Sequence, residues 1–282
     1  MEKFEVLKYN QISMGWLGIH SKRLNEPTNE FFRSFVAFFI LFNVVSFTII
    51  SSVVYVYIHI HSFEMIAEPF LDACCGTQVA GMFICIGINM KKVKKLHLVL
   101  QELVDKDRKE VFNIYWQVEQ KCRKYTKIIA CFPLNLIFVG TLIYSIVCIA
   151  NGNRDTSTWK LLYFFSLPID RDTIHRWYIF WYVDTSIGVT YSLILITIST
   201  YFVCCCFYLG GICDHFDFLT YSLNEEVKQL NKEKNVAKYQ QKYGKMKDNV
   251  AQTVNIHIKL YEIFNMVADL NSGVIFWLLP AN

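Results

Sequence analysis

The sequence predicts an all-α, polytopic helical membrane protein with four full spans, a fifth span at the C-terminus, a cytoplasmic N-terminus and helical cytoplasmic loops. Two observations support this fold class. Hydrophobic residues make up 54% of the chain and fall in long blocks, whereas a soluble domain places them at helix or strand period. The Lys and Arg residues are concentrated between alternate blocks, as the positive-inside rule requires of a membrane protein.

The apolar blocks give the positions of the spans. Full spans are predicted at residues 34–58, 69–90, 128–150 and 185–213, and a fifth begins at 263. Each is long enough to cross a hydrocarbon layer of about 30 Å as a helix. Helices are predicted because a single segment in lipid has no other partner for its backbone groups.

The basic residues set the orientation. Of the 28 Lys and Arg residues, only Arg154, Lys160, Arg171 and Arg176 follow the first or third span. The rest lie on the opposite face, which is therefore cytoplasmic; a G-protein-coupled receptor would have its N-terminus outside. The predicted regions are a cytoplasmic segment 1–33, spans one to four within 34–208, a cytoplasmic helical hairpin 209–262 and span five at 263–282.

The cytoplasmic hairpin carries two amphipathic stripes, separated by a polar stretch at 231–235. The first stripe consists of Phe216, Leu219, Leu223, Val227 and Leu230; the second consists of Tyr243, Met246, Val250, Val254, His257 and Tyr261. Such stripes either pack beside the spans of their own chain or join subunits near the membrane. The sequence leaves both alternatives open.

The outer loop, residues 151–184, is rich in Trp, Tyr and Phe. Aromatic residues of this kind form belts at membrane interfaces. They also suit a folded lid that shields access to an apolar site between the spans.

Charged and metal-ligating residues inside the spans are few. Asp72 and Asp269 are the acids within or near spans, and neither has an evident cationic partner in the sequence. His59 and His61 supply too few ligands for a metal site. Cys204, Cys205 and Cys206 point about 100° apart on a helix, so they do not converge on one ion. No metal site or cofactor is predicted.

Catalytic motifs are not found, so the chain is not predicted to be an enzyme. The spans contain small notches instead, in which a glycine is followed by a tyrosine three or four residues later: Gly140 with Tyr144, and Gly188 with Tyr191. A notch of this kind forms one wall of a pocket or a close contact between helices.

Five short motifs follow one another along the chain: MGWLG at 14–18, MKKVKKL at 90–96, LPID at 167–170, DHFDFL at 214–219 and HIKLY at 257–261. In this order, and with this layout of spans, the sequence resembles the insect odorant receptor family. The resemblance implies a ligand-gated, nonselective cation channel that detects small volatile organic molecules. It also implies a hetero-tetramer with an odorant co-receptor subunit, in the cell membrane, with no nucleic acid as partner.

The resemblance further implies a ligand pocket in the outer half of the bilayer. Mapped by topology, this pocket would draw on Phe70, Ala73, Cys74, Ile137, Gly140, Tyr144, Ile187 and Tyr191. Walls of this kind bind apolar ligands by burial, with little demand for directional bonds. The sequence does not identify the odorant.

One departure from the family concerns the C-terminus. The family has seven spans, and the pore is completed by spans six and seven. Because this sequence ends at Asn282, we expect a truncated receptor that does not conduct by itself. The rival interpretations are a gustatory receptor of the same topology and a small-molecule transporter, although neither inverted repeats nor facing intramembrane charges support the latter.

Overall fold

The computed structural model describes residues 6–17, 28–61, 63–104, 109–150 and 174–278. Every regular element in these ranges is an α-helix, which confirms the all-α prediction. The helices are α1 (Lys8–Trp16), α2 (Thr28–Ile58), α3 (Phe63–Ile88), α4 (Met90–Val104), α5 (Lys109–Ala150), α6 (Ile174–Lys232) and α7 (Val236–Leu278).

Three segments of the described part of the chain are long and apolar enough to cross a membrane: Val36–Ile58, Pro69–Ile88 and Trp177–Lys232. The first two overlap closely with the predicted first and second spans, and the third contains the predicted fourth span, 185–213. The predicted third and fifth spans lie on α5 and α7, where many of the side chains fall outside the described residues.

Hydroxyl groups in the apolar helices bond to their own backbone. The Thr48 hydroxyl donates to the Val44 carbonyl (3.0 Å). Thr190 donates in the same way to the Ser186 carbonyl (2.8 Å). Because each hydroxyl satisfies itself within its helix, these helices carry polar residues through an apolar region without needing a partner from another element.

Helix α6 begins at Ile174, inside the predicted outer loop 151–184. The predicted loop extends to residue 184 because Arg176 and Asp184 interrupt the apolar run. Isolated charges of this kind do not stop a helix. Trp177, Phe180 and Asp184 are buried on this first part of α6. The last part of the predicted loop is therefore helical, and residues 151–173, with the LPID motif, lie outside the described residues.

A short break separates α6 from α7 within the polar stretch 231–235. Asn235 caps α7, because its side-chain Oδ1 accepts the N–H groups of Ala237 (3.1 Å) and Lys238 (3.2 Å). Lys242 pairs with Glu233 across the break (2.8 Å). Hydrogen bonds from Lys242 and from the Asn235 N–H lower the pKa of the Glu233 carboxyl.

The chain divides into two compact units. Unit 1 comprises Met1–Lys8, Lys91–Lys124 and Tyr201–Ser272; unit 2 comprises Tyr9–Met90, Tyr125–Thr200 and Gly273–Asn282. In unit 2, α2 packs along α3, with the rings of Phe38 and Phe83 stacked at 4.4 Å.

In unit 1, charged residues of α4 pair with α7. Lys92 contacts Asp269 (3.2 Å) and Lys95 contacts Glu262 (2.8 Å). The expectation that Asp269 lacks a cationic partner is therefore wrong. The partner is distant in sequence and comes from the lysine-rich start of α4, so inspection of the fifth span alone could not find it.

The two amphipathic stripes of the hairpin differ in burial. Leu219 and Leu230 of the first stripe are buried in unit 1, as expected for packing within the chain. In the second stripe, Tyr243, Val250, Val254 and Tyr261 are exposed. Helix α7 thus presents an apolar face that the described part of this chain does not cover.

Candidate functional site

Tyr191 of α6 reaches α3 at Gly76. A methyl group placed on Gly76 would lie 2.5 Å from the Tyr191 Oη and 2.9 Å from Ile49 Cγ1 of α2. Both Gly76 and Tyr191 are buried. Only a glycine at position 76 leaves room for the tyrosine, so this junction joins three helices of unit 2 around one phenol group.

The structure places the predicted pocket residues in different environments. Ala73, Ile187 and Tyr191 are buried. Ala73 lies three residues before Gly76 on α3, and Ile187 lies four residues before Tyr191 on α6, so each shares a helix face with a residue of the junction. These three predicted residues therefore belong to the junction or to helix faces that lead into it.

Two of the other predicted pocket residues have exposed side chains, and three lie outside the described side chains. Phe70 is 60% exposed and Cys74 is exposed. Ile137, Gly140 and Tyr144 lie on α5, but their side chains fall outside the described residues. For these residues, membership of a pocket remains a prediction.

Sequence reasoning missed Gly76 and Ile49. The notches at Gly140 and Gly188 were sought by pairing a glycine with a tyrosine on the same helix. The tyrosine that contacts Gly76 comes from another helix. It lies 115 positions later in the sequence, so the sequence does not reveal the pairing. The available signal was a glycine in an apolar span without a nearby aromatic residue, which predicts a close approach by some other element.

A third acid in an apolar helix was also missed. Asp184 of α6 is fully buried, and Thr185 beside it is nearly so. Ionisable residues buried in a membrane-spanning helix face protein or water rather than lipid. Asp184 therefore lies toward the protein interior of unit 2, although the sequence placed it at the end of an outer loop.

A second feature of unit 2 is an apolar recess of about 480 Å³ beside α3. It is lined by Thr77, Ala80, Gly81, Ile84, Cys85, Ile88 and Gly273. The Thr77 hydroxyl donates to the Ala73 carbonyl (2.8 Å), and the Cys85 sulfur accepts a weak bond from Asn89 Nδ2 (3.8 Å). The polar side chains of the lining are thus engaged with their own helix.

Unit 1 contains a buried carboxylate, Glu119 of α5, which is 1% exposed. Its Oε2 accepts the Tyr208 hydroxyl (2.7 Å) and the Leu7 N–H (3.0 Å). Its Oε1 accepts from Arg123 Nε (3.3 Å), and Arg123 also lies over the Trp116 ring (5.9 Å). The charge is paired and bonded on both oxygens, as a buried carboxylate requires.

A second buried polar pair lies in the same unit. Tyr115 Oη is 3.1 Å from His215 Nδ1, and the two rings meet edge to face at 5.7 Å. Burial raises the pKa of the Tyr115 phenol, which therefore keeps its proton. Sequence reasoning missed this pair because Tyr115 precedes the predicted third span and His215 follows the fourth.

Possible metal ligands are not clustered. Among the described residues, no group of three or more His, Cys, Asp or Glu side chains is arranged to hold a metal ion. His59 Nδ1 lies 3.0 Å from the Tyr55 carbonyl of its own helix. Cys204 and Cys205 are buried whereas Cys206 is exposed, so the triplet points in different directions.

Comparison with known proteins gives a match in structure. No protein-family model matches the chain, and no curated protein matches it in sequence. The fold is similar to that of the insect olfactory receptor OR5 from Machilis hrabei, with a TM-score of 0.66 at 15% sequence identity. The structure of that receptor in complex with eugenol gives a TM-score of 0.64 at the same identity.

The structural match extends over nearly all of this chain. In both comparisons it covers 96% of this chain, which spans 66% of the length of the receptor. At this identity the likeness establishes the fold, namely the order and arrangement of the helices. Helices that differ this much in sequence and still superpose define a shared architecture on which sites of different chemistry can be built.

Proposed function

We propose that this chain is a subunit of an odorant receptor, a ligand-gated nonselective cation channel that detects small volatile organic molecules for smell. The fold likeness to a solved insect olfactory receptor over 96% of the chain carries this proposal. The order of sequence motifs supports it, as do the apolar helices of unit 2.

The proposed ligand site is centred on the junction of Gly76 and Tyr191. The buried Ala73 and Ile187 lie on the adjoining helix faces, so the walls are apolar, with one phenol as a polar group. Such a site suits a small, mainly apolar molecule that gains its affinity from burial. We include Phe70, Cys74, Ile137, Gly140 and Tyr144 in this proposal as further walls.

The proposed partner is an odorant co-receptor subunit in a hetero-tetramer, with α7 as a contact surface. The exposed apolar stripe of Tyr243, Val250, Val254 and Tyr261 supports this surface, because apolar faces left open on a helix are used for association. We also propose that the N-terminus is cytoplasmic, which the distribution of Lys and Arg supports.

Whole-cell recording tests the receptor function. The chain would be expressed with an odorant co-receptor subunit, and a panel of volatiles that includes eugenol would be applied. A receptor role predicts an inward cation current with at least one volatile and none without the chain. Silence across a broad panel, with the chain present at the cell surface, would count against the proposal.

Two glycine variants test the location of the ligand site. Gly76→Leu places a bulky side chain where Tyr191 lies and is expected to abolish or retune the response. Gly210→Leu is the matched control, because no atom lies within 4 Å of a Cβ built at Gly210. An unchanged volatile profile in Gly76→Leu at normal surface expression would move the site away from this junction.

Antibody access to an N-terminal epitope tag tests the orientation. A cytoplasmic N-terminus predicts staining only after the cells are permeabilised. Staining of intact cells would reverse the orientation and, with it, the assignment of the exposed α7 stripe to the cytoplasmic side.

A further inference from the structure

Val6 and Leu7, which we call the strap, lie in unit 1 immediately before α1 begins at Lys8. Val6 and Leu7 are completely buried there. The Val6 N–H donates to Gln101 Oε1 of α4 (3.1 Å), and the Leu7 N–H donates to Glu119 Oε2 of α5 (3.0 Å). Both acceptors are side chains, so the strap is attached without belonging to a helix or a sheet.

The backbone of the strap is strained at Leu7. Its φ of 54° lies in the left-handed region, which a bulky non-glycine residue rarely adopts. A conformation of this kind persists only where the surrounding contacts impose it. The Leu7 N–H bond to Glu119 and the burial of the Leu7 side chain are such contacts, and once they are lost the backbone relaxes into a different shape.

The two oxygens of Glu119 have separate partners. Oε1 accepts from Arg123, while Oε2 accepts from Leu7 and Tyr208. Detachment of the strap removes one bond from Oε2 but leaves the Arg123 ion pair and the Tyr208 bond in place. A motion that leaves a buried charge without partners has a prohibitive free-energy cost. Detachment of the strap avoids this cost, because the Glu119 carboxylate keeps Arg123 and Tyr208 as partners.

We propose that Val6 and Leu7 form a detachable strap in unit 1 and that the Glu119 carboxylate holds it in place. Attachment orders the start of α1 and holds Leu7 in its strained form. Release leaves Glu119 bonded to Arg123 and Tyr208, and it frees Val6 and Leu7. The strap is thus a two-state device within unit 1, and it is independent of whether the chain binds odorants.

Tryptic cleavage of the Lys8–Tyr9 bond tests the proposal on the full 282-residue chain in detergent. The peptide that ends at Lys8 is quantified by mass spectrometry over time, because proteolysis of a locally opened segment follows the population of the open state. Cleavage after Lys234, in the break between α6 and α7, provides an internal reference. Glu119→Gln is expected to accelerate cleavage at Lys8 about tenfold, as loss of a charge-assisted hydrogen bond implies.

Three further variants separate the strap from general loosening of the fold. Glu102→Gln changes an exposed glutamate that pairs with Lys259 (3.0 Å) and is expected to leave the rate unchanged. Tyr208→Phe removes a hydroxyl that contacts both Glu119 and the Leu7 backbone, and it is expected to accelerate cleavage by a smaller factor than Glu119→Gln. Gln101→Ala removes the Val6 acceptor and is expected to accelerate cleavage by a smaller factor than Glu119→Gln.

The possible results each decide the matter. A wild-type rate in Glu119→Gln, or an equal acceleration in Glu102→Gln, would overturn the proposal. Should Glu119→Gln fail to fold, Gln101→Ala decides instead: faster cleavage at Lys8, with the Lys234 reference unchanged, supports the strap, and a wild-type rate overturns it. None of these readings depends on a response to a volatile.

Discussion

The two units of this chain differ in the reach of their buried polar contacts, although self-bonded threonines such as Thr220 in unit 1 occur in both. In unit 2, Thr48, Thr77 and Thr190 each donate to a carbonyl four residues earlier on the same helix. In unit 1, Glu119 and Tyr115 bond to residues far away in sequence. Unit 2 also has bonds between helices, such as that from Asn10 to Thr200 (3.2 Å).

Two general rules describe these patterns. Helices in lipid must satisfy their polar groups before they associate, so packing shape holds them together. Helices near water gain from directional bonds that exclude wrong registers. The comparison predicts that polar substitutions will be costly in unit 1 and nearly neutral in unit 2, whereas added volume will be costly in unit 2.

The largest expected effect is that of Glu119→Ala. The substitution removes the carboxylate that pairs with Arg123 and accepts hydrogen bonds from Tyr208 and Leu7. We expect a loss of about 3 kcal/mol in unfolding free energy, in line with removal of one member of a buried pair. Denaturant titration of the purified chain measures it. Glu102→Ala, in an exposed pair, should cost less than about 1 kcal/mol; equal losses would contradict the contrast.

Next in size is Gly76→Ala in unit 2. The new methyl group would meet Tyr191 Oη and Ile49 Cγ1 at distances that force a shift, and overpacking of this kind costs about 1–3 kcal/mol. The readout is thermal unfolding in detergent. Gly210→Ala is the control: with open space around it, alanine should stabilise α6 by up to about 1 kcal/mol. The same sign of change in both variants would show that shape does not dominate in unit 2.

Tyr115→Phe should have a smaller effect. The substitution removes the hydroxyl that lies against His215 Nδ1 and keeps the ring. A loss of about 1 kcal/mol is expected for one buried neutral hydrogen bond. A double-mutant cycle with His215→Phe isolates the pair, since the coupling energy disappears if the two groups do not interact.

The smallest effect is expected from Thr190→Val in unit 2. The hydroxyl bonds to the Ser186 carbonyl of the same helix, and valine keeps the shape of the side chain. Because no other element loses a partner, the change in stability should stay within about 0.5 kcal/mol, the usual range for changes that touch no special feature. Thermal unfolding beside Tyr115→Phe gives the comparison; a larger loss for Thr190→Val would reverse it.

The sequence was sufficient for the helices because long uncharged runs and charge asymmetry are local signals. It was not sufficient to locate the start of α6. The charge of Asp184 suggested the end of a loop, but Asp184 lies within the helix. It also gave no partner for Asp269, which pairs with Lys92 through the tertiary structure.

The candidate site shows the same limit. Tyr191 and Ala73 could be proposed from their depth in the predicted spans, and both are buried. Gly76 could not, because its role is to leave space for a side chain of another helix. Glu119 was equally hidden: a glutamate in a basic amphipathic segment reads as a surface residue until folding brings Tyr208 and Leu7 to it.

The recess beside α3 has a lining that looks more polar in the sequence than it is in the structure. The Thr77 hydroxyl already donates a hydrogen bond to the Ala73 carbonyl, and the Cys85 sulfur already accepts one from the Asn89 amide. A water molecule there would lose bulk hydrogen bonds and gain little from these side chains, and sites of that kind stay dry. This surface is therefore water-repellent despite its hydroxyl and its thiol, and hydrocarbon wets it better than water does.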